Sequence, residues 1–327
     1  MQANVVAGID LGGTKILTAV ADRQGRVLAE VRLATEAAKG TRVILQNVRR
    51  SVEQAMSKAE LAGLPGAIGI GVPGAVQAGL VHLAPNLGWQ DYHLTKDLGQ
   101  LFGCPIAVAN DANLAALGEH CFGAGQGSDN MVYITVSTGV GGGIIYQGEI
   151  MAGVSGTAGE IGHITIDPQG PRCNCGGKGC LEAIASGTAI ARQARELAAQ
   201  GRGQGILSHV DADGVITATA VGRAAAAADP EAREILHRAA GALGIGLAAV
   251  ANILNPSLIV IGGGVMAMRE IIWPVMEAEF NARTHRGARR AVTLVNAALG
   301  GRAGVLGALA LALKEVGGVT GATHPPV

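Results

Sequence analysis

Three times in this chain an apolar run of strand character ends in a cluster of glycines. Val5 to Ile9 leads into Asp10-Leu11-Gly12-Gly13-Thr14-Lys15, Met131 to Ser137 into Thr138-Gly139-Val140-Gly141-Gly142-Gly143, and Leu258 to Ile261 into Gly262-Gly263-Gly264. Without a Cβ, the backbone can approach a ligand closely and aim its N–H groups at it, at a cost in unfolded-state entropy. An ordinary tight turn uses the same residues, so each cluster alone leaves both readings open. Three of them at strand ends point to a nucleotide. Thr14 adds a hydroxyl, Lys15 a cation, and Asp10 can orient a hydrated magnesium ion. Triple glycine at 262–264 suits a flat adenine or ribose lying on bare backbone. The first is not a Walker A loop, and a strand rather than a helix follows Gly12-Gly13, which excludes a dinucleotide fingerprint.

The glycines also say what the core must be. Hydrophobic residues make up 49% of the chain but aromatics only 2%, so Ala, Val, Ile and Leu must pack closely around 51 glycines. A length of 327 residues is enough for two lobes with separate cores. Formal net charge is zero, which removes the broad basic field that nucleic acid or an acidic membrane surface needs. No leader pattern precedes Val5, so a cytoplasmic protein is expected. The most apolar helical stretch, Ala239 to Ala251, falls short of the roughly 20 residues of a membrane span and reads as a core helix.

The first third alternates strand and helix signals. Val5 to Ile9, Ile16 to Ala21, Arg26 to Leu33, Ala67 to Val72 and Ile106 to Ala109 read as strands, Thr41 to Ala62 as a helix, and a further helix starts at about Asp111. A second series has strands at Met131 to Ser137, Gly141 to Tyr146, Leu258 to Ile261 and Ala291 to Val295. Its helices are expected at Leu181 to Gln200, Thr217 to Ala228, Glu231 to Leu254 and Ala303 to Val316. From Gly317 the tail lacks periodicity and is expected to be loose. The first two glycine turns echo each other, each a strand exit followed by another strand, which suggests two related halves.

Asn110-Asp111-Ala112-Asn113 opens a helix. Asn and Asp are favoured N-caps. An Asp that accepts a hydroxyl proton is also a recurring part of phosphoryl transfer, and a helix N-terminus favours its ionised form. Both readings of Asp111 can hold together.

Three of the five cysteines lie within eight residues. His163, Cys173, Cys175 and Cys180 make a closed tetrahedral set for zinc, with no open position for water, so the ion would be structural. A redox pair or free thiols in a glycine loop is the other reading. The odd count suits a reduced protein better than a disulfide framework. Glu160 and Glu182 flank this loop. Glutamates are ordinarily solvated on a surface, but held by a metal-ordered loop they could accept sugar hydroxyl hydrogens in bidentate fashion.

Together these motifs resemble the ROK family of sugar kinases and repressors, within the actin-like ATPase superfamily. The matching pieces are Asp10 to Lys15, Asn110 to Ala112, Ser137 to Gly143, Glu160-Ile161-Gly162-His163, and the stretch from Cys173 to Glu182, in the family's order. The resemblance implies an α/β fold of two RNase H-like lobes with sugar and nucleotide in a cleft. Residues 1–113 and about 301–327 would form the small lobe, and 114–300 the large lobe with the zinc loop. It implies Asp111 as base, with Asn110, Asp111, Glu160, His163 and Glu182 on a hexose, His163 also ligating zinc. Asp10, Gly12, Gly13, Thr14, Lys15, Thr138, Gly139, Gly141, Gly262, Gly263 and Gly264 would take ATP with magnesium. Pro85-Asn86-Leu87-Gly88-Trp89 resembles the stretch that adds Asn86 to the sugar site in the glucokinase branch. N-acetylglucosamine, N-acetylmannosamine, mannose or fructose are the alternative sugars, and polyphosphate an alternative donor. The family's repressors carry a helix-turn-helix domain before the first glycine turn. Nine residues precede Asp10, which leaves no room for such a domain, so no nucleic-acid partner is expected. With no basic field and no apolar span no membrane partner is expected either, and the resemblance implies a homodimer or homotetramer. A non-catalytic sugar sensor is the reading from another class.

Overall fold

A computed structural model describes residues 5–317. The tail after Gly317, for which the sequence suggests a loose coil, lies outside the described residues. The chain divides into two compact units, residues 5–133, 143–159 and 297–317 in one and 134–142 and 160–296 in the other.

In the first unit, β1 (Val5–Leu11), β2 (Lys15–Asp22), β3 (Val27–Ala34), β4 (Ile68–Val72) and β8 (Ile106–Asn110) form one sheet in the order β3-β2-β1-β4-β8. β1 to β3 pair antiparallel, and β4 lies parallel to both β1 and β8. Side chains alternate across the pleat. Ala7 and Ile9 therefore pack with Ile44, Val48, Val52 and Met56 of α1 (Thr41–Lys58), while Val6 packs with Val305 and Leu309 of α11 (Ala303–Glu315) on the other face. The α1 residues recur at helical spacing, as read from the sequence, but the helix stops at Lys58 and Glu60 turns left-handed. Between β4 and β8 lie a small antiparallel sheet and a helix that sequence pattern did not reveal: β5 (Ala75–Gln77), β6 (Leu80–Ala84), β7 (Trp89–His93) and α2 (Leu94–Phe102). Trp89 anchors this insertion, its Nε1 donating to Thr41 Oγ1 at 2.9 Å and its ring tilted against Tyr92.

α3 (Asp111–Phe122) packs along α11. A Cβ on Gly118 would overlap the Ala303 carbonyl, and one on Gly307 the Leu114 carbonyl. Gly8 and Gly69 permit the same approach of α11 to β1 and β4. Fully buried Glu119 closes the arrangement. Its carboxylate accepts the N–H groups of Ala124 at 2.8 Å, Ala298 at 3.1 Å and Leu299 at 2.8 Å, so the end of α3 is bonded to the segment that enters α11. This packing is why residues 114–133 belong with the first unit and not, as the sequence-based division had them, with the second; residues 143–159 differ in the same way.

The second sheet is built from β9 (Met131–Val136), β10 (Val140–Tyr146), β11 (Glu149–Ile150), β12 (Leu258–Gly262) and β13 (Thr293–Asn296), in the order β11-β10-β9-β12-β13. Counted along the chain, each five-stranded sheet has the order 3-2-1-4-5. The echo between the glycine turns is thus an echo of topology. The chain passes from the first unit to the second within β9 and back within β10.

The helix expected over Leu181 to Gln200 is two, α4 (Leu181–Ala185) and α5 (Gly187–Ala199). Ser186 takes extended dihedrals between them and caps α5, its Oγ accepting from Ala189 N–H at 3.1 Å. After α6 (Gln204–Leu207) and α7 (Ala218–Ala226), α8 (Pro230–Leu254) starts at the Asp229 cap and packs on α9 (Arg269–Arg283). Among the described residues α8 is the one helix long and apolar enough to cross a membrane, and most of its apolar window is buried by its neighbours. Ala291, read as the start of a strand, instead ends α10 (Arg286–Ala291), and the strand begins at Thr293.

Gly307→Ala should destabilise the protein by about 1–3 kcal/mol in urea unfolding, because an overlap with backbone cannot be relieved by a rotamer change. Gly99→Ala in α2, where an added Cβ meets nothing within 4 Å, should stabilise by about 0.5–1 kcal/mol.

Candidate active site

The first glycine turn joins β1 to β2. Gly12 N–H donates to the Lys15 carbonyl at 2.9 Å, Thr35 Oγ1 donates to the Gly12 carbonyl at 2.6 Å, and Thr35 N–H donates to the Thr14 carbonyl at 3.0 Å. The amides of Gly13 and Thr14 find no acceptor among the described residues. Gly13 is needed for a second reason. A Cβ there would press on Asn86, at 2.9 Å from both its Cβ and its carbonyl oxygen, so the Pro85–Leu87 turn leans directly on the glycine turn. The side chain of Asn86 is exposed.

Asp10, the penultimate residue of β1, lies beside the first turn of α11, where Gly304 leaves room for it: a Cβ on Gly304 would lie 3.2 Å from its carboxylate carbon. Burial raises its carboxyl above the usual range, and Lys15 offsets this in part. Two strands away, at the same edge of the sheet, β8 ends at Asn110. Asp10 is level with Gly71 of β4, and Asn110 with Val72. Asn110 caps α3, its Oδ1 accepting from Ala112 N–H at 2.9 Å and Asn113 N–H at 3.1 Å, while its Nδ2 donates to the Gly74 carbonyl at 3.0 Å. Asp111 follows as the first helical residue, and its Oδ1 accepts from Ala112 N–H at 2.8 Å. The cap is Asn110, which leaves Asp111 half-buried at the strand–helix junction.

In the second unit, His163, Cys173, Cys175 and Cys180 offer four ligand atoms that all lie within 4.8 Å of one another. The Cys175 and Cys180 sulfurs are 3.7 Å apart, as are Cys173 Sγ and His163 Nδ1. A tetrahedron with Zn–S bonds of about 2.3 Å has S···S edges of about 3.8 Å, so the set fits zinc, whereas a disulfide needs about 2.0 Å. Burial and the adjacent thiols push Cys180 up to about 12, while the Gly177 amide and the neighbouring thiols hold Cys175 below the usual thiol value. A divalent cation would relieve this crowding by holding the sulfurs as thiolates. His163 turns Nδ1 to the cysteines and Nε2 to Glu160, 3.8 Å from its carboxylate. Gly162 lets this turn sit against Val140, whose carbonyl a Cβ would overlap.

Glu182, in the first turn of α4, reaches the second glycine turn: its Oε2 lies over Gly139 and accepts from Val140 N–H at 3.0 Å. Ser137 and Thr138 line a cavity of about 1010 Å³ within this unit. Of the triple glycine only Gly264 lines it. Gly262 is buried in β12, and Gly263, at φ 96°, packs on the Val136 backbone. Gly141 lies inside β10. Sequence pattern missed most of the cavity wall, including Thr188, Arg195, Val215, Ile216 and Met268. Arg195 donates to the Ile216 carbonyl at 3.1 Å, and Arg223 pairs with Asp211 through two bonds, fixing the segment before α7. The Ser186-Gly187-Thr188 helix start, four residues past Glu182, was the one available signal.

Two five-stranded sheets of the same 3-2-1-4-5 order, each with a glycine turn between its first two strands, define an actin-like ATPase fold of the sugar-kinase type. The chain belongs to the ROK family, whose model matches residues 6–315. It is 40% identical over 308 residues to a glucokinase of Halalkalibacterium halodurans, 92% of each chain. It is 32% identical over 317 residues to a xylose repressor of Caldicellulosiruptor bescii, covering 95% of this chain and 78% of the repressor. The crystal structure of a ROK family glucokinase from Streptomyces griseus in complex with glucose and AMPPNP matches with TM-score 0.80 and 36% identity, over 95% of this chain and 99% of that one.

Two outcomes test this site. Protein purified without chelator should carry about one zinc ion per chain by elemental analysis, and stripping it should lower Tm; less than half an equivalent would count against the cluster. Asp10→Asn should raise the urea midpoint of the ligand-free protein at pH 8. A raised folded-state pKa means that wild-type stability falls as pH rises from the ordinary Asp value of about 3.9 through that of folded Asp10. The advantage of the Asn variant should therefore vanish near pH 4.

Proposed function

We propose that the protein is an ATP-dependent hexose kinase and that its acceptor is glucose, converted to glucose 6-phosphate. The observation that carries the reading is the sheet edge of the first unit, where Asp111 and the Asp10–Lys15 turn stand two strands apart, about 10 Å by strand spacing. A carboxylate at that distance from unpaired amides suits a hydroxyl lying between base and phosphate. The glucose held in the Streptomyces griseus complex and the name of the Halalkalibacterium halodurans relative support glucose over other hexoses.

Asp111 takes the proton of the 6-hydroxyl as its oxygen bonds to the γ-phosphorus. The bond to the β-phosphate oxygen breaks, ADP leaves, and the proton passes from Asp111 to solvent. Asn86, Asn110, Glu160, His163 and Glu182 orient the sugar. Asn110 does so from a cap that already uses both ends of its amide. Gly12, Gly13, Thr14 and Lys15 in the first turn, with Thr138 and Gly139 in the second, offer positive groups to the charge that spreads over the phosphoryl oxygens. Magnesium bound with ATP, near Asp10, would neutralise part of that charge. Zinc in the His163–Cys180 set is structural. The five free cysteines suit a reducing cytoplasm, and a homodimer or homotetramer is the proposed assembly.

The match to a xylose repressor favours one second reading, a sugar sensor without turnover. A coupled ADP-release assay decides between them. Glucose should give the highest kcat/KM among glucose, N-acetylglucosamine, N-acetylmannosamine, mannose and fructose, with ATP preferred to polyphosphate. No stimulation by any sugar would leave the sensor. Asp111→Ala should lower kcat by at least about 10³-fold with unchanged far-UV circular dichroism; a near-wild-type rate would refute Asp111 as base.

A further inference from the structure

The Ser137–Val140 turn is gripped from one side. Gly187 N–H donates to the Ser137 carbonyl at 2.7 Å. Thr188 donates twice to the Thr138 carbonyl, from Oγ1 at 2.8 Å and from N–H at 3.3 Å. Ser137 N–H donates to the Gly139 carbonyl at 2.8 Å, and Val140 N–H to Glu182 Oε2 at 3.0 Å. The two amides left over are those of Thr138 and Gly139, which have no acceptor among the described residues.

These facts are linked by the planarity of the peptide bond. In a trans peptide the N–H points opposite to the C=O of the same plane. The Ser137 carbonyl shares its plane with Thr138 N–H, and the Thr138 carbonyl shares its plane with Gly139 N–H. Holding the two carbonyls from the α5 side therefore aims the two unpaired amides the other way. The gripping residues hang from the cysteine cluster. Cys180 directly precedes α4, Leu181 N–H donates to the Ile164 carbonyl at 2.9 Å, and α4 runs through Glu182 to the Ser186 cap.

We propose that Thr188 is a positioning residue for nucleotide phosphate, acting through Thr138, and that the Glu182–Thr188 segment braces the phosphate-binding turn against the zinc cluster. The proposal rests on the reading of this turn as part of the ATP site. Without the Thr188 hydroxyl the Thr138 peptide plane is held less firmly, and binding must then order it, which weakens nucleotide affinity without touching the sugar. Sequence motifs do not point to Thr188, because its hydroxyl acts on the backbone of a turn 50 residues away.

The test uses the full chain, with AMPPNP binding measured by calorimetry and the two KM values by ADP release. Thr188→Val keeps the shape and removes the hydroxyl. It should weaken AMPPNP binding and raise the KM for ATP by about tenfold, the effect of one well-made hydrogen bond, with the KM for glucose unchanged. Thr188→Ser restores the hydroxyl and should stay within about threefold of wild type. Removing zinc from the wild type should lower AMPPNP affinity, and adding zinc back should restore it. Wild-type affinity in Thr188→Val, equal losses in the Val and Ser variants, or AMPPNP binding indifferent to zinc would each overturn the brace. Failure of the wild type itself to bind AMPPNP would refute the nucleotide site, and the brace with it.

Discussion

The backbones of α3 and α11 touch, and much of the first unit is referenced to that contact. Gly118 and Gly307 remove the side chains that would hold the two helices apart, and Gly8 and Gly69 let α11 lie against the centre of the sheet. Close backbone approach multiplies dispersion contacts along both helices, which offsets the entropy that glycine loses on folding. It also fixes together the two carboxylates to which the proposed reaction gives roles. Asp111 begins one helix of the pair, and Asp10 occupies the space that Gly304 leaves at the start of the other. A shift of α11 would move both. Glu119 secures the far end with three backbone N–H groups on one buried carboxylate, an arrangement in which the protein replaces the water the group gave up.

The two glycine turns follow one rule in separate units. In each, carbonyl oxygens are taken by side chains or amides of a following element, Thr35 in the first and Gly187 and Thr188 in the second. In each, two adjacent amides are left without an acceptor among the described residues. Preorganised amides are useful to an anion because no reorganisation is needed when charge arrives. The glycines themselves serve packing as much as ligand approach. Gly13 makes room for Asn86, Gly139 for Glu182 and Gly263 for Val136. Residues assigned to the sugar and residues assigned to the phosphates are thus in direct contact, and a change in one is felt by the other.

Asp111 at a helix start, the two hairpin turns and the His–Cys cluster were all legible in the sequence, because each is local: a few residues of fixed type at fixed spacing. The 75–102 insertion was not. Its strands of three to five residues are too short for a period to show, and Trp89 anchors it through Thr41, 48 residues away. The break at Ser186 was missed for another reason. Ala and Ile continue the helical pattern on both sides, and one Ser followed by Gly is a small signal against it. What each glycine of 262–264 faces was not legible either, since a glycine buried in a strand, like Gly262, and one leaning on a neighbouring strand, like Gly263 on Val136, look the same in one dimension.

By itself, the sequence determined the chemistry available: a carboxylate at a helix start that we propose as the base, four residues that can close around zinc, and glycine turns of bare backbone that we propose for phosphate. These follow from residue type and spacing, properties that do not wait for the fold. Only the tertiary structure decided which of those groups are already engaged and in which direction the rest point. Asn110 is a cap bonded at both ends of its amide, Glu182 is tied to Val140, and Thr188 aims a peptide plane it does not belong to. Orientation is a matter of partners, and partners brought together across tens of residues by packing leave no mark on the local sequence of either one.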